Sequence, residues 1–456
     1  MSALPLCQVA FSVTDLARTY RWYRDLFGYL PSGGTRLFRG PLASRVQGLP
    51  NAASTCWWLV DQQEFFQLEM FQFASPRARP LPADWRPCDV GYTTVGLHVI
   101  DFDATLARLA RAGVRALSAP LGRPGARRVC VRDPEGVLLE LMEDDPRNPL
   151  AQLRPRPEVP VATRSVTLSV CDLDRSRRFF VDTLGLPEAT GVPLHGPEHE
   201  ALWGLDGAQR RALLLWAGDF LVELVQYTKP VGNPWPEGYR ISDQGLLNIA
   251  FGFRDKRHFD EVYRRCLAAG HRGNWRPLNL GAWTVVYVND DQGFSVELLF
   301  VRPWYAGPMG FNAPPAIVAR AHIAAPRAVV WQAITDHEGM VDWSWFREVT
   351  LVREGSPERN GLGAVRRMRG PGVMLDEEVV RWMPPARCDY RVVAGAPIRD
   401  HVGCVTLRDA GNETDVEWIV RLNPVVPGTG AVIRTGLQRA LDGMLQRLKR
   451  RLEAAA

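Results

Sequence analysis

The chain has 456 residues, 46% hydrophobic and 23% charged, which is typical of globular proteins and excludes a disordered or collagen-like chain. Its length predicts about three domains. The net charge of +5 comes from scattered basic residues and does not indicate a nucleic-acid partner.

The cysteines and the apolar runs narrow the class further. The eight cysteines form no CxxC pair, which excludes a zinc ribbon or a redox motif and favours a reducing compartment. No apolar run approaches the roughly 18 residues that a membrane span needs. We therefore expect a cytoplasmic protein with no membrane partner.

A repeated unit organises the chain up to about residue 305. Residues 9–28 and 166–185 each predict a strand, an aspartate that caps a helix (Asp15 and Asp172), an aromatic residue and a glycine. Half-similar patterns begin at residues 95 and 249, and each leads to a turn and a final strand. Four strand–helix–strands units in two pairs are predicted, joined by a Pro/Arg-rich linker at 145–162.

A different module follows the repeats. After a Gly/Pro-containing linker at 304–315, the pattern predicts a strand at 316–325, a helix started by Pro326, alternating strands over 348–422 and a long helix at 430–453. The long helix carries an apolar stripe of Ile433, Leu437, Leu441, Met444, Leu448 and Leu452.

The paired strand-DL-helix-G openings and the DPEG…LEL closings resemble the vicinal oxygen chelate superfamily, which includes glyoxalase I, extradiol dioxygenases and bleomycin-resistance proteins. The last module resembles the START-like helix-grip fold of polyketide cyclases and dehydrases. The resemblance implies an α+β chain with βαβββ-paired domains at 1–147 and 160–303 and a helix-grip domain at 315–456. Each paired domain would form a cupped sheet with its site on the concave face.

Alternation along the strands separates two faces. One face is apolar and is predicted to pack against the helices. The other, cup-facing side of the first domain carries Gln8, Glu69, Thr94, His98 and Glu140.

The resemblance implies ligand positions on this face. In the first domain these positions hold Gln8, Glu69, Thr94 and Glu140, and in the second domain they hold Ser165, Glu223, Asn248 and Glu297. The first set departs from the glyoxalase pattern because Thr94 stands where a histidine is expected. The second set keeps only Glu297 of an extradiol iron site, so such a site is not expected.

Two interpretations of the first set stay open. Gln8, Glu69 and Glu140 could hold a divalent metal, and oxygen ligands suit magnesium or manganese better than zinc, with iron undetermined. Alternatively the carboxylates are vestigial in a metal-free cup. Sites could also form across the two domains, which would bring Gln8 and Glu69 together with Asn248 and Glu297.

Histidines are the candidate proton carriers. His98 faces the predicted cup, where neighbouring carboxylates could raise its pKa and let it move protons, although a satisfied pocket histidine fits equally well. His195 and His199 flank a Gly-Pro pair and are interpreted as part of a loop.

In the last module, two charged clusters mark strand ends or cavity groups, and an aromatic group is interpreted as core. The charged clusters are Asp376, Glu377 and Glu378, and Arg399, Asp400 and His401; the aromatic group is Trp331, Trp343, Trp345 and Phe346.

The preferred hypothesis is an enzyme, a lyase, isomerase or cyclase, that moves protons on a small oxygenated hydrophobic metabolite. Glu69 or Glu140 would act as base, His98 as its acid/base partner and Gln8 as an orienting donor or metal ligand. Thr94, Ser165, Glu223, Asn248 and Glu297 are candidate substrate-binding residues. The alternative is a metabolite-binding protein without catalysis, of the bleomycin-resistance type. The chain would act as a monomer or homodimer, with a divalent metal or no cofactor, since no nucleotide-binding motif is present.

Overall fold

The computed structural model describes residues 4–146, 156–190, 194–426 and 428–454. It divides into two units, Met1–Ala313 and Pro314–Ala456. The predicted linker at 145–162 lies outside the described residues over 147–155. The domain ranges 1–147, 160–303 and 315–456 stay predictions.

The repeats of unit 1 give the predicted alternation of strands and helices. Its first half contains β1 (Leu6–Ser12), α1 (Leu16–Phe27), β2 (Leu30–Gly34), β3 (Phe38–Arg39), α2 (Pro41–Gln47), β4 (Ala53–Val60), β5 (Gln67–Ser75), β6 (Gly91–Val99), α3 (Phe102–Arg111), β7 (Arg128–Arg132) and β8 (Leu138–Met142). Its second half contains β9 (Val161–Ser169), α4 (Leu173–Arg177), a π-helical turn (Arg178–Thr183), a 3₁₀ segment (Pro197–Trp203), β10 (Gln209–Ala217), β11 (Phe220–Lys229), β12 (Gly245–Phe253), α5 (Lys256–Ala268), β13 (Arg272–Gly273), β14 (Leu278–Asn279), β15 (Trp283–Asn289), β16 (Ser295–Val301) and a 3₁₀ turn (Pro303–Tyr305).

Local sequence explains where α1 begins and ends. The Asp15 side chain accepts a hydrogen bond from the Arg18 amide and caps the first turn. Gly28 ends the helix in the left-handed conformation (φ 80°), which only glycine adopts without strain. The buried side of the helix consists of Leu16, Thr19, Tyr23 and Phe27. Asp172 caps α4 in the same way through the Arg175 amide, so both predicted capping aspartates are confirmed.

The ten-stranded sheet of unit 1 joins the first and the last repeat. Its strands lie in the order β13-β15-β16-β12-β1-β5-β4-β2, with β14 on β15 and β3 on β4. Strand β1 pairs parallel to β5 and antiparallel to β12, at the centre of the sheet.

The six-stranded sheet joins the second and the third repeat, in the order β10-β11-β9-β6-β8-β7. Each sheet therefore contains strands from both predicted vicinal oxygen chelate domains. The expectation that each domain builds its own cup is wrong. The strands instead pair across the two domains, as in the alternative in which the sites form between them.

Unit 2 is a single antiparallel sheet with helices. It contains β17 (Ile317–Ile323), α6 (Arg327–Thr335), a 3₁₀ turn (Glu338–Asp342), β18 (Glu348–Arg353), β19 (Val365–Gly370), β20 (Val373–Met383), β21 (Arg387–Ala394), β22 (Ile398–Ala410), β23 (Glu413–Pro424) and α7 (Gly430–Ala454). The strand order is β17-β23-β22-β21-β20-β19-β18.

The long helix α7 packs its apolar stripe against the core of unit 2. Leu441, Met444 and Leu448 are buried, and the outer members of the stripe are partly buried against the same core. The predicted aromatic group also belongs to this core, with Trp331, Trp343 and Phe346 buried and Trp345 packed against them. The α+β fold class and the helix-grip arrangement are confirmed.

Candidate functional site

Four polar side chains share one face at the centre of the ten-stranded sheet, and we call them the polar quartet. They are Gln8 on β1, Glu69 on β5, Asn248 on β12 and Glu297 on β16. Ala10 pairs with Glu69 on one side and with Asn248 on the other, while Ala250 pairs with Gln8 and Glu297. Cross-strand partners point to the same face, so the two small alanines leave room between the quartet side chains.

Hydrogen bonds fix the β1–β5 side of the quartet. The Trp58 indole N–H donates to Glu69 Oε1 at 2.7 Å, and the Cys56 thiol lies 3.8 Å from the same oxygen. Gln8 Nε2 donates to the Gln67 side-chain oxygen at 2.7 Å.

Both amides of the quartet have polar atoms without well-formed hydrogen bonds. Gln8 Oε1 and both polar atoms of the Asn248 amide are buried and have no such partner among the described residues. The Asn248 amide still lies close enough to Glu297 to favour its charged form slightly. Leaving a buried polar group unpaired costs about 1–3 kcal/mol, so these atoms point to a ligand that would satisfy them.

The two carboxyl groups of the quartet resist ionisation. Burial raises the pKa of Glu69 to about 7, against the hydrogen bonds from Trp58 and Cys56 that favour the carboxylate. Burial and the nearby charge of Glu69 raise the pKa of Glu297 to about 8. Tyr287 is the cross-strand partner of Glu297. Burial and the charges of Glu297 and Glu69 raise the pKa of Tyr287 well above its ordinary value.

The donor set fits a hard divalent cation. Two glutamates and two amides lie on one face of four adjacent strands and offer the oxygen ligands that magnesium and manganese prefer. Within the described ranges, no group of three or more His, Cys, Asp or Glu side chains is arranged to hold a metal ion. A cation here would therefore depend on the amides as well as on the two carboxylates.

Residues 306–311, which we call the cover segment, lie over this part of the sheet. The Gln67 side-chain nitrogen donates to the Gly310 carbonyl at 2.7 Å, and a Cβ at Gly310 would lie 2.4 Å from the Trp58 ring. Phe311 is fully buried. The quartet side chains are at most 6% exposed.

The equivalent positions of the six-stranded sheet hold a different arrangement, centred on His195. His195 Nε2 lies 3.0 Å from Glu140 Oε2, and His195 Nδ1 lies 2.7 Å from Glu223 Oε2. Trp203 donates to Glu140 at 3.0 Å and Thr167 donates to Glu223 at 3.0 Å. We call these five residues the His195 network.

The charges of this network stabilise one another. Burial opposes a charge on His195, but Glu140 and Glu223 outweigh it and raise its pKa to about 9. Against burial, which favours the neutral acid, His195 lowers the pKa of Glu140 to about 2 and that of Glu223 below its normal value. Arg128 adds a further ion pair to Glu140 at 3.1 Å. The imidazolium thus occupies the space between two carboxylates that a metal ion could otherwise take.

The structure separates the residues that were grouped from the sequence. It brings Gln8 and Glu69 together with Asn248 and Glu297, and not with Thr94 and Glu140, because the first repeat pairs with the fourth. Thr94, Glu140, Ser165 and Glu223 lie on β6, β8, β9 and β11 of the other sheet.

His98 makes no hydrogen bond or ion pair with Glu69 or Glu140 among the described residues, and its acid/base role stays a prediction. Its Nδ1 lies 3.1 Å from the Asp144 carbonyl oxygen, and burial lowers its pKa. The histidine that contacts Glu140 is His195, interpreted from the sequence as part of a loop. The sequence around His195 gave no indication of this contact beyond the two histidines of the 195–199 segment. A Gly-Pro pair interrupts the segment, so it has no periodicity that shows where a side chain points.

Unit 2 has a polar cluster inside its core. Arg366 Nη2 lies 2.7 Å from Glu377 Oε2, and both side chains are buried. His401 Nδ1 accepts from the Val392 amide at 3.2 Å. The predicted clusters at 376–378 and 399–401 lie within β20 and β22, and Glu377 and His401 are buried members of them.

Family comparisons identify two parts of the chain. Residues 7–131 match the glyoxalase/bleomycin resistance protein/dioxygenase superfamily, and residues 314–453 match polyketide cyclase/dehydrase and lipid transport. The chain thus carries a domain of each family. At family level the two matches support a small-molecule-processing enzyme or a small-molecule-binding protein. No curated protein matched the chain.

Solved structures with similar folds include glyoxalase I from Zea mays, at 17% identity with a TM-score of 0.44, covering 65% of this chain and 92% of that one. A putative dioxygenase from Bacillus subtilis subsp. subtilis str. 168 has 13% identity and a TM-score of 0.47, covering 68% and 91%. A START superfamily protein from Mycobacterium smegmatis has 12% identity and a TM-score of 0.28, covering 31% and 99%. Across the described residues, no helix has the length and apolar character needed to cross a membrane.

Proposed function

We propose that unit 1 is an enzyme that moves a proton on a small, oxygenated, hydrophobic metabolite, as a lyase, isomerase or cyclase does. The observation that carries this proposal is the buried pair Glu69 and Glu297, whose pKa values of about 7 and about 8 lie near neutral pH. A general acid or base works best when its pKa is close to the working pH. Carboxyl groups shifted in this way cluster at functional sites.

The surroundings of the pair divide the roles. The Trp58 N–H favours the charged form of Glu69, so Glu69 is the proton-accepting base. Burial and the charge of Glu69 raise the pKa of Glu297 to about 8, so Glu297 is the acid that donates to the oxygen of the developing enolate. Glu297 takes the acid role predicted for His98, and Glu69 alone takes the base role predicted for Glu69 or Glu140. The Asn248 N–H group donates to the substrate oxygen, and Gln8 Oε1 accepts from a substrate hydroxyl.

A divalent metal fits the same residues. Magnesium or manganese would be held by the carboxylates of Glu69 and Glu297 and the amide oxygens of Gln8 and Asn248. When bound, such a cation polarises a substrate oxygen as a Lewis acid. Iron and zinc are less favoured, since this set contains no histidine or cysteine.

A second candidate function is metabolite binding without catalysis. The burial of the quartet favours it, because Glu69 is only 6% exposed. The His195 network supports it too, since its carboxylates are already neutralised by the chain itself.

Deuterium exchange tests the catalytic proposal without knowledge of the natural substrate. The full-length protein is incubated in D₂O with a panel of hydrophobic ketones and hydroxyketones, and loss of the α-proton signal is followed by NMR. We expect catalysed exchange with the wild type and a loss of about 10²-fold or more with Glu69→Gln. Glu237→Gln, an exposed surface change in the same unit, is the matched control and should keep the wild-type rate.

The outcomes separate the versions of the proposal. Exchange that is equally fast in wild type and Glu69→Gln would place the chemistry outside the quartet. Ligand binding with no exchange by any ketone would favour the binding protein. Elemental mass spectrometry of the purified protein tests the metal-assisted version. Stoichiometric magnesium or manganese that disappears in Glu297→Gln supports this version, and a metal-free wild type contradicts it.

A further inference from the structure

A preformed cavity of about 380 Å³ lies in unit 1, within the range of small-molecule pockets. It is lined by two loops, 76–90 and 230–244, and by the starts of the strands that follow them, β6 and β12. These loops occupy equivalent places in the first and second halves of the repeat. None of the lining residues belongs to the polar quartet or to the His195 network.

The two loops hold each other in place by reciprocal contacts. Arg79 of the first loop pairs with Asp243 of the second at 2.6 Å. In the opposite direction, Asp89 of the first loop accepts from the Asn233 amide of the second at 2.8 Å. Because each loop anchors the other, the cavity walls are fixed before any ligand enters, which reduces the ordering cost of binding.

Aromatic side chains form much of the wall. Trp235 stacks on Tyr239 with ring centroids 4.3 Å apart, and its indole N–H donates to the Gln292 carbonyl at 2.9 Å. A Cβ at Gly293 would lie 2.9 Å from the Trp235 nitrogen, so the indole is held tightly against the backbone. Trp85 lines the cavity from the other loop. Rigid aromatic rings are suited to binding a flat apolar molecule.

The charges of the lining disfavour an anionic ligand. Arg79 and Asp243 neutralise each other, and Asp89 pairs with Arg86 at 2.7 Å. Asp84 is the remaining charged member of the lining and is exposed. Within the lining, a negative group on the ligand would meet Asp84 and no unpaired cation. The Arg132 guanidinium lies outside the lining, 5.6 Å over the Trp85 ring.

We infer that this cavity is a second small-molecule site, one that binds a flat, largely apolar, aromatic molecule without a negative charge. The site is separate from the proposed proton-transfer chemistry and stands whether or not the quartet is catalytic. It gives unit 1 a place for a ligand that needs no movement of the cover segment.

A matched pair of fluorescent dyes tests the inference on the full-length protein. The neutral dye is N-phenyl-1-naphthylamine, and the anionic one is its sulfonated analogue, 8-anilinonaphthalene-1-sulfonate. We expect one-site, saturable binding of the neutral dye and about tenfold weaker binding of the anionic dye at this site, equivalent to about 1.4 kcal/mol.

Pocket variants locate the binding site. Trp235→Ala removes part of the wall and Leu81→Trp fills the cavity, and each is expected to weaken the neutral dye by about tenfold or more. The controls, Trp304→Ala and Leu280→Trp, make the same kinds of change at side chains that are 70% and 58% exposed in the same unit. They should leave the affinity unchanged. Leu81→Trp, on a loop surface, keeps the test valid if Trp235→Ala fails to fold.

Three results would overturn the inference. The first is no saturable binding of the neutral dye to the wild type. The second is an affinity that neither pocket variant changes, which would place the dye elsewhere in the chain. The third is equally tight binding of the anionic dye with the same sensitivity to Leu81→Trp, which would exclude the stated ligand class.

Discussion

Replacing His195 by phenylalanine removes the central cation of the His195 network and keeps a ring of similar shape. The imidazole lies between Glu140 and Glu223 at 3.0 and 2.7 Å, and all three side chains are buried. The variant therefore leaves two carboxylates in the core without the group that bridges them. Removing one partner of a buried ion pair is strongly destabilising because the other charge remains.

The pKa of His195 sets the size of the effect. Against burial, which lowers it, the two glutamates raise this pKa from its ordinary value of 6.5 to about 9, and a tenfold change in an equilibrium corresponds to about 1.4 kcal/mol. We expect His195→Phe to lower the free energy of unfolding of unit 1 by about 3 kcal/mol at pH 6, in line with the cost of breaking buried pairs. The lowered pKa of Glu140 arises from the same contact with His195, so it adds nothing further to the expected loss of stability.

The effect has a definite pH dependence. A group whose pKa is raised on folding contributes its full stability below its unfolded pKa and loses it as the pH rises through the folded value. The difference between wild type and His195→Phe should thus be largest near pH 6 and should shrink towards pH 9 and above. It should also shrink at acid pH, where the two carboxylates take up protons.

The assay must report on unit 1 alone, since two units unfold in one chain. After equilibration in urea, pulsed hydrogen exchange with mass spectrometry is read on peptides from β8 and β9. His322 is the matched control in unit 2: it also bridges two carboxylates, Glu413 and Asp415, at 2.6 and 2.8 Å, but it is half exposed. His322→Phe, read on peptides from β17 and β23, should change stability little because solvent screens the pair. A His195→Phe cost below about 1 kcal/mol, or no pH dependence between 6.5 and 9, would refute a charged bridge.

Two further predictions concern a buried ion pair and a helix cap. Arg366→Met should lower the stability of unit 2 by about 3 kcal/mol because it leaves Glu377 buried and unpaired. Adding Glu377→Leu should recover most of the loss, as measured by urea unfolding read on β19 peptides. An equal loss in the single and the double variant would contradict this. Asp15→Ala should lower the free energy of unfolding of unit 1 by about 1 kcal/mol, because the Arg18 amide loses its cap. The control Asp25→Ala, at an exposed side chain, should lower it little. Equal effects of the two variants in the same assay would argue against the cap.

Strand alternation predicted the polar face correctly at the level of single strands. Gln8 and Glu69 do lie on one face with small neighbours, and a two-residue repeat requires that placement once the strand exists. The partners of that face were not predictable in the same way. Each repeat has similar strands, so nothing in the periodicity of β1 specifies pairing with β12 rather than with β6.

The sequence by itself determined the elements that depend on neighbouring residues. The capped helices after Asp15 and Asp172, the apolar stripe of α7 and the aromatic core of unit 2 follow from hydrogen bonds and side-chain periodicity within a few turns. Only the tertiary structure decided that Glu297 shares a sheet face with Glu69 and that His195 contacts Glu140. The residues of these pairs lie 228 and 55 positions apart, and the two sheets form because the first repeat pairs with the fourth and the second with the third, which local sequence does not specify.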